Sequence, residues 1–150
     1  MPVDVTTEIE IARPLAEVAA FTVDPDHAPR WYANIESARW ETPPPLAVGS
    51  RITFTARFLG RKLVYTYEIA ELDATHLVMR TAQGPFPMET TYAFAPAPRG
   101  TRVTLRNRGE PSGFARIFAP MMARAMRRAN EKDLAKLREL LEASAPTAPT

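Results

Sequence analysis

The sequence predicts an α+β domain in which one antiparallel sheet is covered on a single face by a long C-terminal helix. Three observations carry that prediction. Between about residues 36 and 110, runs that alternate polar and apolar residues are separated by short turn segments, the pattern of an antiparallel meander with one buried face. Ahead of it stand one more alternating run and two short helical signals. Behind it, Phe114, Ile117, Phe118, Met121, Met122, Ala125, Met126 and Ala129 recur at three-and-four spacing, and Leu134, Leu137 and Leu141 continue the stripe.

Taken in order, Val3, Val5, Thr7, Ile9 and Ile11 alternate with Asp4, Thr6, Glu8 and Glu10, a strand with one wet face. Pro14 opens a short helix, LAEVAAFT, where a missing first-turn N–H costs little. Asp24-Pro25 repeats the signal with a side-chain acceptor before a preset φ, so "DPDHAPRWYANI" reads as a second short helix or turn, broken up by Pro29. Ile35 to Glu41 is a weak strand and PPPLAVGS a loop. Ile52, Phe54, Ala56 and Phe58 then share one face, and Gly60-Arg61 makes a tight hairpin into Leu63, Tyr65, Tyr67 and Ile69. Asp73-Ala74 turns into Leu77, Met79 and Thr81. Met88, Thr90, Tyr92 and Phe94 follow QGPFP, and after APAPRG come Val103, Leu105 and Asn107. The closing helix is predicted over roughly Ser112 to Ala143, with Pro120 on its wet side bending it around the sheet. Residues 144–150, SAPTAPT, form a tail of small polar residues and proline.

At 150 residues the chain suits one domain, here residues 1–143, with a sizeable core. Lys plus Arg exceed Asp plus Glu by only 19 to 17, so nucleic acid is not an expected partner. The absence of cysteine excludes disulfides, thiolate zinc sites and a Cys nucleophile. No run approaches the roughly 18 apolar residues that span a bilayer, and MPVDVTTEIEIARP does not read as a secretory signal. The expected location is cytoplasmic. Glycine-rich phosphate loops, a Ser nucleophile elbow and zinc signatures are missing; no cofactor or metal is expected.

The order strand, two short helices, about six strands and a long helix is carried by three stretches. They are "EIARPLAEVAAFTVDPDHAPRWYANI", "VGSRITFTARFLGRKLVYTYEIAELDATHLVMRT" and "TYAFAPAPRGTRVTLRNRGEPSGFARIFAPMMARAMRRANEKDLAKLRELLE". Over about residues 3–142 the chain resembles the START-like (SRPBCC) superfamily, which includes polyketide cyclase/dehydrase-like proteins. The resemblance lies in layout and texture, since that superfamily has no invariant catalytic signature. It implies a helix-grip fold: a curved antiparallel sheet of about seven strands gripping the C-terminal helix, with a cavity between them for a lipid, polyketide or other apolar molecule.

The lining implied is Phe54, Phe58, Tyr65, Tyr67, Met79, Tyr92 and Leu105 from the sheet, with Phe118, Met121, Met122 and Met126 from the helix. Three of the six methionines lie on that stripe, and Met79 is a fourth; methionine is flexible and polarizable, which suits variable ligands. The same stripe has an ordinary-core reading. Thr81, Thr90 and Asn107 are polar at inner-face positions, and a buried Asn107 amide needs a partner, whether ligand or water. Trp31-Tyr32 stands near the cavity mouth, either covering a ligand or packing on the sheet edge. His27 reads as a capping or exposed residue, because Asp24, Asp26 and a lone histidine would specify a metal weakly. Arg51, Arg57, Arg102, Arg106 and Arg108 read as the solvated outer face, paired across strands with acids. The segment ARIFAPMMARAMRRA reads as the sheet's cover rather than as a membrane-surface helix.

The expected function is binding of a small hydrophobic or amphipathic ligand, with Trp31 among the lining and Tyr65, Tyr67, Tyr92, Thr81 and Asn107 orienting its polar groups. Two alternatives stay open. One is a polyketide cyclase/dehydrase-like enzyme in the same cavity, against which stands the lack of an obvious carboxylate or histidine base on the inner face. The other is a protein-interaction module with a filled core.

Overall fold

The computed structural model describes residues 3–58, 60–84, 87–110 and 117–143, with Phe58 described by its backbone alone. Strand β1 (Val3–Ile11) leads through α1 (Leu15–Val23), a 3₁₀ turn (Pro25–His27) and α2 (Ala28–Trp31) into β2 (Ile35–Trp40). Then follow β3 (Arg51–Phe58), β4 (Arg61–Asp73), β5 (His76–Gln83), β6 (Met88–Ala97), β7 (Gly100–Gly109) and the helix α3 (Ala119–Ala143). The seven strands form one antiparallel sheet in the order β1-β7-β6-β5-β4-β3-β2. All neighbours from β2 to β7 are sequential; only β1 pairs at long range, Val3 facing Gly109 and Ile11 facing Thr101. The chain therefore has to pass from one sheet edge to the other, and α1 and α2 make that passage. Register shifts between Ile35 and Ser37, Thr66 and Tyr67, and Ile69 and Glu71 add twist that curls the sheet.

Local chemistry sets the element ends. Asp24 accepts the Asp26 N–H at 2.9 Å and Pro25 occupies the first helical position, as that dipeptide predicts. Pro29 falls in the first turn of α2, where it lacks no partner, so it starts that helix rather than breaking it up. Gly100, at φ +152°, lies so close to β1 that an added Cβ would stand 2.4 Å from the Ile11 carbonyl oxygen, and only glycine fits. The outer face carries ion pairs between Arg106 and Asp4 (2.7 Å), Arg80 and Glu89 (2.8 Å), Arg51 and Glu68 (3.4 Å), and Arg57 and Glu36.

The C-terminal helix begins later than the spacing predicts. Ile117 and Phe118 form the turn ahead of it, with the Phe118 carbonyl accepting from Met122 N–H at 2.8 Å. Pro120 is consequently the second residue of α3, in the turn where its missing donor is harmless; it opens the helix and does not bend it. The predicted start at Ser112 and the inward Phe114 lie outside the described residues. Ile117 (70% exposed), Phe118 (52%) and Met121 (62%) stand largely in solvent. The buried face of α3 is Ala119, Met122, Met126, Asn130, Asp133, Leu134, Leu137 and Leu141. Leu134, Leu137 and Leu141 join Ile11, Val18, Val103 and Leu105 in the main core, whereas Met122 and Met126 pack on Val3 and Val5 in a separate cluster.

Candidate functional site

The space between the sheet and the first half of α3 is not filled. It holds a cavity of about 560 Å³, bounded by β3 to β7, by α1 and α2, and by the residues from Phe118 to Asp133. Of the residues singled out from the sequence, Trp31, Phe54, Tyr65, Tyr67, Met79, Tyr92, Asn107, Phe118, Met121, Met122 and Met126 line it. Two do not. Leu105 is fully buried in the main core and does not border the space. Thr81 is occupied by the backbone of Met88, donating to its carbonyl at 3.0 Å and accepting from its N–H at 2.9 Å. The Phe58 side chain lies outside the described residues.

Two polar groupings interrupt the apolar wall. On the sheet, the Thr90 hydroxyl donates to Asn107 Oδ1 at 2.6 Å and stands 3.3 Å from the Tyr67 hydroxyl. Asn107 thus has a protein partner for its oxygen, as a buried amide must. Between the end of α2 and strand β6, the Tyr32 and Tyr92 hydroxyls are hydrogen-bonded to each other. Trp31 packs on both rings, with centroids 4.0 Å from Tyr32 and 6.0 Å from Tyr92. Trp31 is only 1% exposed and borders the cavity.

Sequence reasoning missed Asp133. The carboxylate is 3% exposed, borders the cavity, and accepts the Ala33 N–H through Oδ1 at 3.0 Å. Burial pushes its pKa up to about 6, against the opposing pull of the Ala33 N–H. Burial likewise raises the Tyr32, Tyr92, Tyr65 and Tyr67 hydroxyls, keeping all four protonated at neutral pH. The inner face therefore does contain a carboxylate, contrary to expectation. The signal was present: Asn130 and Asp133 continue the three-and-four spacing of Met122 and Met126, polar residues inside an apolar stripe. Trp31 Nε1 and Asn130 Nδ2 are buried with no partner among the described residues.

His27 keeps a structural place. Its ring stacks on Phe21 with centroids 4.2 Å apart, and Nδ1 lies 3.2 Å from the Phe21 carbonyl oxygen, outside the cavity wall. Asp26 accepts the Trp40 indole N–H at 2.9 Å, away from any shared site with His27. Among the described residues no group of three His, Cys, Asp or Glu side chains is placed to hold a metal. Nor is any described helix long and apolar enough to cross a membrane.

A curled sheet gripping a long helix over an apolar cavity defines a helix-grip protein of the START-like superfamily. Within it the chain belongs to the family described as polyketide cyclase / dehydrase and lipid transport, whose model matches residues 2–142. Among solved structures it is similar to TTHA0849 from Thermus thermophilus, at 24% identity and TM-score 0.82, covering 95% of this chain and 99% of that one. The Zhui aromatase/cyclase from a Streptomyces species is similar at 14% identity and TM-score 0.80, covering 99% and 98%. The di-domain aromatase/cyclase StfQ of the steffimycin biosynthetic pathway matches at 14% identity and TM-score 0.79, covering 98% of this chain and 53% of that one. At these identities the likeness is one of fold. A search of curated proteins finds no match.

Proposed function

We propose that the protein binds a small hydrophobic or amphipathic molecule, a lipid, polyketide or aromatic compound, in the cavity between the sheet and α3. The observation that carries this reading is the unfilled space of about 560 Å³ where a domain of this size would ordinarily close its core. Its volume falls in the range of small-molecule sites. An apolar ligand gains roughly 25 cal/mol for each Å² it removes from water, which favours broad selectivity. Met79, Met122 and Met126 adapt the wall to different shapes, and Tyr65, Tyr67, Tyr92 and Asn107 orient polar groups. The family's description, which includes lipid transport, supports the same reading. A filled core, on which the protein-interaction alternative rested, is at odds with the cavity. Native mass spectrometry of gently purified protein tests the proposal. A stoichiometric passenger, released and identified after denaturation, is the expected result. No binding, even after incubation with fatty acids, sterols and aromatic polyketides, would overturn it.

One observation favours a second reading, a cyclase/dehydrase-like enzyme. Aldol ring closure needs a base for the proton of an acidic carbon and a donor for the enolate oxygen. Asp133, a cavity-lining carboxylate whose pKa burial raises to about 6, would serve as such a base, and the Tyr32–Tyr92 pair would supply hydroxyl donors. The aromatase/cyclases StfQ and Zhui share the fold on which this chemistry would be built.

A further inference from the structure

Resting on the binding reading above, the structure points to the chemistry of the ligand's polar end. Asp133 is a deeply buried carboxylate with half of its hydrogen-bonding capacity unspent. Oδ1 is held by the Ala33 N–H, while Oδ2 has no partner among the described residues and is not closed off by protein. Among the described residues no lysine, arginine or histidine neutralises it; the one basic residue of the described cavity wall is Arg61, exposed on the β3–β4 hairpin. The neighbouring titratable groups are the hydroxyls of Tyr32 and Tyr92, with Tyr67 beyond them, all neutral. A buried carboxylate oxygen without a donor is costly, and whatever fills the cavity displaces the water that would otherwise serve it.

We propose that this end of the cavity is an acceptor site, selecting ligands that carry a hydrogen-bond donor, a hydroxyl or a protonated amine, on an apolar body, and rejecting carboxylates. A donor satisfies Oδ2 as it enters. A hydrocarbon strips Oδ2 of water and returns nothing, and an anion brings like charge to within reach of Asp133 in a poorly screened space. Trp31 Nε1 and Asn130 Nδ2 do not offset this preference, because both nitrogens are covered by protein and a ligand meets the carboxylate instead.

Four congeners with one ring system test the proposal by equilibrium dialysis at pH 8: 2-methylnaphthalene, 2-naphthylmethanol, 2-naphthylmethylamine and 2-naphthoate. The alcohol, the amine or both should bind about tenfold more tightly than the hydrocarbon, a difference on the scale of one satisfied hydrogen bond. Naphthoate should bind more weakly than the hydrocarbon. Which of the two donors binds better distinguishes a hydroxyl ligand from a cationic one. Lowering the pH from 8 to 5 protonates Asp133 and should weaken the amine while leaving the hydrocarbon unchanged. In Asp133→Asn the amide keeps an acceptor for Ala33 and turns a donor toward the cavity, so the donor advantage should vanish and naphthoate should gain. Should that variant not fold, the pH dependence of the wild-type protein decides the point. Equal affinities across the series, or naphthoate binding best, would overturn the acceptor site while leaving a ligand-binding cavity in place. Failure of all four to bind would overturn this inference, and the binding reading falls with it only if native mass spectrometry with fatty acids, sterols and aromatic polyketides also finds nothing bound.

Discussion

The two halves of α3 face the same sheet and solve different problems. From Leu134 onward the helix is leucine-rich, and Leu134, Leu137 and Leu141 are at most 4% exposed within a core shared with Ile11, Val18, Val103 and Leu105. Before Asp133 it is methionine-rich, and Met122 and Met126 rest on Val3 and Val5 at one side while bordering open space on the other. Branched leucine, with few rotamers, suits a surface that must fit one neighbour in one way. Unbranched methionine suits a surface whose neighbour changes. The domain is thus anchored at one end of a single helix and left adaptable at the other.

The sharpest way to break that comparison is to cut one side chain from each half. Leu137→Ala removes a fully buried side chain from a filled region and should lower stability by about 3 kcal/mol, read as a shift in urea midpoint at unchanged slope. Met126→Ala opens space that is already partly open, so the ligand-free protein should lose only about 1 kcal/mol, toward the low end for core truncations. Equal losses from the two truncations would mean that the methionine half is packed as tightly as the leucine half, and the contrast would fail.

The same contrast explains what could be read in the sequence. Strand alternation assigns a residue to a face, and that suffices for Phe54, Tyr65, Tyr67, Met79 and Tyr92, which reach the cavity. It does not say where along the helix a face is filled. Leu105 has the right parity and still misses the cavity, because its side chain is fully enclosed in the main core. Thr81 also has the right parity, but its hydroxyl is claimed by the Met88 backbone, a contact between β5 and β6 that no local pattern announces. On α3, reading for an apolar stripe made Asn130 and Asp133 look like gaps in the pattern, although they sit on its buried face. The proline at 120 misled in another way: its cost depends on whether a helical turn precedes it, a fact of tertiary structure. The meander from β2 to β7 and the helix pair were legible because each of those elements carries its own turn chemistry, whereas the pairing of β1 with β7 joins residues about a hundred positions apart and has no local signal.

Asp133 marks the boundary between the two halves, and its smaller effect can be read directly from stability against pH. Its folded-state pKa, about 6, lies above the unfolded value of 3.8. Between those values the native protein holds a proton that the unfolded chain has released, so this group favours folding at low pH and that contribution falls away as pH rises through about 6. Asp133→Asn removes the titration while retaining an acceptor for the Ala33 N–H. The variant's melting temperature should match that of the wild type near pH 4 and exceed it by a few degrees at pH 7.5. A gap that is constant with pH, or one that opens toward acid, would mean that the carboxylate is already neutralised in the native state. The charge would then have a partner at the boundary, and the cavity would lose the open acceptor that sets this end apart from its methionine wall.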